Sequence, residues 1–246
     1  MKSITPLPKS KYNWRILSGS NLKIIAIALM IIDHIGAVVI FHGYLLPNVP
    51  VLQGTFAYSI YTFYQVLRFI GRSAFPIFCF LLVQGFLHTS NKRKYLTRLF
   101  IFALISEIPF DIAIHNAFIS FGSQNIFFTL LIGFCVMWLM ELWADKLYLQ
   151  LLIVALGMGL AYLIQSDYDY WGILLISILY FFRTTPVLQT IVGSLALLWE
   201  APATIAFIPI NMYNGKRGIP MKYFFYIFYP AHLLLLVLIR YLIFGM

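Results

Sequence analysis

The chain has 246 residues, of which 62% are hydrophobic and 10% charged, against about 25% charged in an ordinary soluble domain. A mean hydropathy of +0.89, sustained along the length, excludes disorder, a coiled coil and a secreted disulfide scaffold, and predicts one integral membrane domain over 1–246. The formal charge of +9, from 17 Lys and Arg against 8 Asp and Glu, sits beside apolar runs, as in cytoplasmic loops that face anionic lipid and not as in a nucleic-acid surface.

Lys2, Lys9, Lys11, Arg15 and Lys23 mark 1–21 as a basic cytoplasmic segment. The apolar run behind it outlasts a signal-peptide core and carries Asp33 and His34 at its centre, so it is read as a first transmembrane helix over 22–45. The Tyr- and Phe-rich stretch 51–63 predicts an interfacial helix, because rings with one polar edge favour the headgroup level. Further helices are expected near 64–87, 96–117, 125–143, 147–165, 170–183 and 221–244, around the length of about 20 residues that a span needs. Cys79 and Cys135 fall inside these apolar runs, where a thiol behaves as a small hydrophobe. The stretch 186–212 is apolar but carries Glu200, Pro202 and Pro209. One straight span there would put Lys216, Arg217 and Lys222 outside, against the positive-inside rule. Two half-helices, 187–199 and 203–212, meeting at Glu200 would return the chain to the inside. The expected fold is therefore all-α, a polytopic membrane bundle of about 7–9 transmembrane or half-membrane helices around a central polar chamber.

The chamber follows from ionisable residues placed within spans, where each costs at least about 2.5–3.5 kcal/mol and needs a partner or a wet cavity. Arg68 and Arg72 are four apart on one helix, Glu107 and Asp111 four apart on another, so each pair shares a face. Asp33, Glu107 and His232 each lie about 16 Å in from the cytoplasmic end of their helices, at a rise of 1.5 Å per residue. Depth alone predicts that an arginine of the first pair meets an acid of the second. His34 is the natural general base, with Asp33 near enough to tune its field. No P-loop, dinucleotide fingerprint or Gly-x-Ser-x-Gly occurs. His42, His88 and His115 show no zinc spacing, so no metal is expected.

Seven segments in order carry a family resemblance: Leu-Lys-Ile-Ile-Ala with Ile-Asp-His-Ile-Gly (22–36), Leu-Arg-Phe-Ile-Gly-Arg-Ser-Ala-Phe-Pro-Ile-Phe (67–78), Gln-Gly-Phe with His-Thr (84–89), Lys-Tyr-Leu-Thr-Arg-Leu-Phe-Ile-Phe-Ala-Leu-Ile-Ser-Glu-Ile-Pro-Phe-Asp (94–111), Asn-Ile-Phe-Phe-Thr-Leu (125–130), Tyr-Asn-Gly-Lys-Arg-Gly (213–218) and Phe-Tyr-Pro-Ala-His-Leu (228–233). Over roughly 22–244 the chain resembles the TraX family, associated with conjugative transfer and fimbrial assembly. Its namesake acetylates the N-terminus of a pilin subunit, and the family is similar to transmembrane acyltransferases that use acyl-CoA. The resemblance implies acetyl-CoA as donor and, as acceptor, the amine of a pilin-like or other small membrane-associated peptide. The expected location is the cell membrane, inner or cytoplasmic, crossed several times. The residue reading and the resemblance together assign His34 and Asp33 to catalysis, Arg68, Arg72, Glu107, Asp111, Asn125 and His232 to the chamber, and Lys92, Arg93, Lys216 and Arg217 to the nucleotide phosphates. A proton-coupled transporter and a non-enzymatic assembly factor remain as alternatives, because buried charges and a broken helix also mark substrate pathways.

Overall fold

Ser18 starts the bundle. Its side-chain oxygen accepts from the Asn21 backbone N–H while the Asn21 side chain accepts from the Ser18 backbone N–H at 3.2 Å, a reciprocal cap. The computed structural model describes residues 14–220 and 222–245; Lys2, Lys9 and Lys11 of the expected basic segment, and Met221, lie outside them. Helix α1 (Gly19–His34) continues as a π-helix over Ile35–Leu45 and a 3-10 turn over Leu46–Asn48. Together they give a stretch of 30 residues, long and apolar enough to cross a membrane.

The return path differs from the expected interfacial segment and span. Helix α2 (Phe56–Gly71) begins at a Thr55 cap, and a turn at Arg72 and Ser73 separates it from α3 (Ala74–His88). Pro76 explains the position of the break, since its ring has no N–H and crowds the carbonyl four residues back, which is that of Arg72. Only Gly71 of α2 is buried. Most of its aromatic side chains, Phe56, Phe63 and Phe69 among them, face outward, as a lipid-facing helix requires.

Helices α4 (Lys92–Phe110), α5 (Ile126–Leu142), α6 (Leu147–Leu163) and α7 (Asp169–Phe181) follow the sequence reading closely. Helix α4 runs on as a short π-helix, Asp111–His115, ended by Asn116 at φ 53°. Between 186 and 212 the chain forms α8 (Pro186–Ala196), a 3-10 stretch (Leu198–Ala206) and α9 (Phe207–Asn211). The pair is a hairpin: Asn211 near its end donates through Nδ2 to Thr190 Oγ1 near its start at 2.8 Å. A Cβ on Gly193 would lie 2.3 Å from the Phe207 ring, so glycine lets the two arms close. The chain then lies along the start of α1, with Leu17 N donating to Met212 O at 2.9 Å and Gly19 N to Lys216 O at 2.8 Å. The expected return to the N-terminal side is therefore present, built from shorter half-helices than expected. Helix α10 (Lys222–Phe244) closes the bundle.

The described residues form no strand, only two isolated bridges. Three helical stretches are long and apolar enough to cross a membrane, and leucines such as Leu151, Leu156 and Leu160 face outward from α6. This is an all-α membrane protein. One end carries Lys23, Lys92, Arg93, Lys146, Arg183 and Arg217 and is the basic end.

Candidate functional site

Where α2 crosses α1, a Cβ on Gly71 would sit 2.3 Å from Asp33 Cβ and 2.7 Å from Asp33 Cα. Glycine thus lets the two backbones touch, and the contact brings Asp33 into an ion pair with Arg68. Arg72 stands on the break beyond Gly71 and reaches a different partner. Its Nε is 2.7 Å from Glu200 Oε1, and Ser73 Oγ donates to the Pro202 carbonyl at 3.3 Å. Glu200 is at the tip of the α8–α9 hairpin, with non-helical φ −134° and ψ 59°. Two interrupted elements therefore meet tip to break, joined by a charge on each.

These pairings correct the expectation that the arginines meet Glu107 or Asp111. Glu107 accepts from the Asn125 backbone N–H at 3.2 Å and from the Asn125 side-chain amide, which also donates to the Ala103 carbonyl at 2.7 Å. Asn125 also caps α5, its Oδ1 accepting from Phe127 N at 3.0 Å. Asp111 accepts from Ser120 N at 2.8 Å. Depth along a helix does not fix rotation about its axis. The acidic face of α4 turns to the start of α5 and to the 116–124 loop, and neither acid nor Asn125 lines the cavity described next.

A cavity of about 830 Å³ runs along the bundle from Lys23, Arg98 and Arg217 at the basic end, past Asp33, His34, Arg68 and Arg72, to His42, Tyr64 and Ser123 toward the other end. Half-buried His34 places Nδ1 2.7 Å from Nε2 of buried His232, and His232 Nδ1 donates to the Phe228 carbonyl at 2.9 Å. Tyr229 stands edge-on to His34 with centroids 6.3 Å apart. Of the four cations assigned to nucleotide phosphates, Arg217 lines the cavity. Lys92 instead pairs with Glu141 and covers the Phe86 ring, and Arg93 and Lys216 are exposed away from the lining. Lys23 and Arg98, not assigned from the sequence, take their place on the wall.

The sequence reading also missed Asp167 and Tyr168, which fall between the helices expected at 147–165 and 170–183 and which line the cavity. Helix α7 has 13 residues, about 20 Å at 1.5 Å per residue, against a hydrocarbon core of about 30 Å. Its first turn therefore starts well inside, and no spacing signal in the sequence announces this. Tyr168 stacks on Phe75 with centroids 3.6 Å apart and planes 5° apart. Among the described residues no three His, Cys, Asp or Glu side chains converge as a metal site.

Every wall of the cavity falls within residues 18–240, which match the family described as "TraX protein". The chain belongs to the TraX family. It is also similar to a curated relative from Dichelobacter nodosus, "Probable fimbrial assembly protein FimC, serogroup H1", with 30% identity over 250 residues that cover 89% of this chain and 94% of the relative. No solved structure matches. The chain is thus a TraX-family membrane protein whose polar groups gather around one passage.

Proposed function

We propose that this TraX-family protein is a membrane acetyltransferase that moves the acetyl group of acetyl-CoA to an amine. The observation that carries the reading is the single cavity joining three cations at the basic end to His34 and two arginines in the middle. Lys23, Arg98 and Arg217 suit the nucleotide phosphates as charge-assisted donors, and the pantetheine arm extends from there to His34, 11 residues beyond Lys23 or about 16 Å along α1. The amine nitrogen attacks the thioester carbonyl carbon, forming the C–N bond as the C–S bond breaks. His34 takes the proton lost by nitrogen and hands it to the departing thiolate, so that CoA leaves as the thiol. Arg68 and Arg72 each use one N–H group in an ion pair and keep others for the oxyanion. Asp33, committed to Arg68, fixes that guanidinium and is not the partner of His34.

Beyond His34 the wall becomes apolar, with Phe41, Tyr64, Phe110 and Ile114, which suits an amine carried on an apolar peptide. The name of the fimbrial relative supports a pilin-like acceptor. Because acetyl-CoA is supplied from the cytoplasm, the basic end faces that side of the inner membrane, in agreement with the positive-inside rule. A second reading as a transporter is favoured by the two interrupted elements joined at Arg72 and Glu200. Binding of labelled acetyl-CoA to the protein in nanodiscs separates the two. Saturable binding is expected, with His34→Ala and His34→Gln binding normally while turnover falls by about 10²–10⁴-fold. An absence of acetyl-CoA binding, or full turnover in His34→Gln, would overturn the proposal.

A further inference from the structure

We propose that His232 is a positioning residue that holds His34 in one tautomer, with the proton on Nδ1 and the lone pair of Nε2 turned to the cavity. The inference rests on the reading of His34 as the base and deepens it. It follows from counting protons along three groups in a row. The Phe228 carbonyl can only accept, so the hydrogen bond from His232 Nδ1 at 2.9 Å places a proton on that nitrogen. A neutral imidazole carries one N–H, which leaves His232 Nε2 as a lone pair. That lone pair faces His34 Nδ1 at 2.7 Å, a distance two lone pairs do not tolerate. His34 Nδ1 must therefore donate, and the basic nitrogen of His34 is Nε2.

Ring geometry agrees with a linear N–H···N bond. The two imidazoles lie 16° from coplanar with centroids 4.9 Å apart, edge to edge and too far apart for face stacking. The plane of His232 is set in turn by Phe228, one turn earlier on α10, whose ring lies 5° from it at 5.1 Å. Phe228 thus orients His232 twice, through its carbonyl and through its ring. On the opposite edge of His34, Nε2 has no hydrogen-bond partner among the described residues, as a base awaiting a substrate proton requires.

A charged His232 would reverse the chain, donating from Nε2 and forcing the His34 proton onto the cavity side. Packing against this arrangement is explicit: Phe228 and Tyr229 cover His232, Arg68 and Arg72 line the same cavity, and of the two carboxylates on its wall Asp33 is already paired with Arg68 and Asp167 forms no ion pair with His232. A charged His232 would have no carboxylate within ion-pair distance among the described residues. After His34 accepts a proton from the amine, its Nδ1–H still bonds to His232, so the imidazolium forms without loss of orientation.

The test combines a tautomer measurement with kinetics. The chain contains 5 histidines, and nitrogen-15 shifts of histidine-labelled protein in nanodiscs, assigned by difference with His34→Gln, report which nitrogen of His34 is protonated. The wild type is expected to show a protonated Nδ1 and a bare Nε2. His232→Leu, which offers no acceptor, is expected to shift His34 toward the other tautomer and to lower kcat about 10–100-fold, the usual range for losing an orienting partner of a functional imidazole, with KM for acetyl-CoA within about twofold. His232→Gln, whose amide oxygen can accept from Nδ1–H, is expected to restore both. A wild-type His34 protonated on Nε2, or a folded His232→Leu with wild-type shifts and kcat, would overturn the inference. The shifts are read without acetyl transfer, so they decide the tautomer even if the protein proves to catalyse nothing. Should His232→Leu fail to fold, the wild type and His232→Gln still decide it.

Discussion

A tyrosine hydroxyl that borders a cavity carries a proton it can donate there. Tyr168 is in this position: its ring is clamped on Phe75, and the residue lines the same cavity as Arg72. The loop presenting it is strained, with left-handed φ of 53° at Gln165, 63° at Tyr168 and 46° at Asp169, each costing about 1–3 kcal/mol. The strain is held by cross-ties. Gln124 N donates to Gln165 O at 2.9 Å, Asp167 N to Gln124 O at 2.8 Å, and Thr129 Oγ1 to Asp167 O. Tyr168→Phe keeps the stack and removes the proton. It is expected to leave the melting temperature unchanged and to lower acetyl transfer about 100-fold, the cost of losing one donor to a developing oxyanion. Unchanged turnover would reduce Tyr168 to a packing role.

At the scale of elements, the α2–α3 break and the hairpin tip hold each other. Arg72 and Glu200 are both largely covered, at 29% and 11% exposure, so removing one partner leaves a charge without compensation. Glu200→Ala is expected to destabilise by about 3 kcal/mol, the lower end for a broken buried pair because Arg72 also borders the cavity. Arg72→Met combined with Glu200→Ala should recover part of that loss, measured as thermal unfolding in detergent; equal destabilisation of the single and double variants would show that the pair does not clasp the two elements. The sequence exposed half of this arrangement. Glu200 and Pro202 inside an apolar run announced an interruption, and the charges on Lys216 and Arg217 required the chain to turn back. Arg72 gave no such notice of Glu200, because its direction depends on Pro76 ending α2 and on Gly71 seating it against Asp33. Likewise the depth of Asp33 and His34 could be counted along a helix, whereas the turning of Glu107 toward Asn125 depends on how α4 rotates against α5. The cations lining the cavity were only partly legible, since Lys92 is drawn off by Glu141, a residue 49 positions away.

At the scale of the whole molecule, charge is sorted between the two ends and the hairpin is what keeps it sorted. Lys92, Arg93, Lys146, Arg183, Lys216 and Arg217 gather at one end. Arg240, which α10 carries to the other, is buried at 5% exposure and turned to the carbonyls of Ile112 and Ala113, so it does not count as a loop charge. If residues 186–212 crossed the membrane once, Lys216 and Arg217 would be stranded opposite Lys92 and Arg93, and the backbone bonds from Gly19 to Lys216 and from Ser20 to Arg217, at 2.8 and 3.0 Å, could not form. Single cysteines in a background with Cys79 and Cys135 changed to alanine test this directly. A membrane-impermeant maleimide applied to sealed inside-out vesicles is expected to label Ser90→Cys and Lys216→Cys alike and to spare Phe121→Cys, with the reverse in right-side-out vesicles. Labelling of Lys216→Cys together with Phe121→Cys would mean that 186–212 spans the bilayer. The start of α1 would then lose the segment that supplies Arg217, and the basic mouth of the cavity would lose one of its three cations.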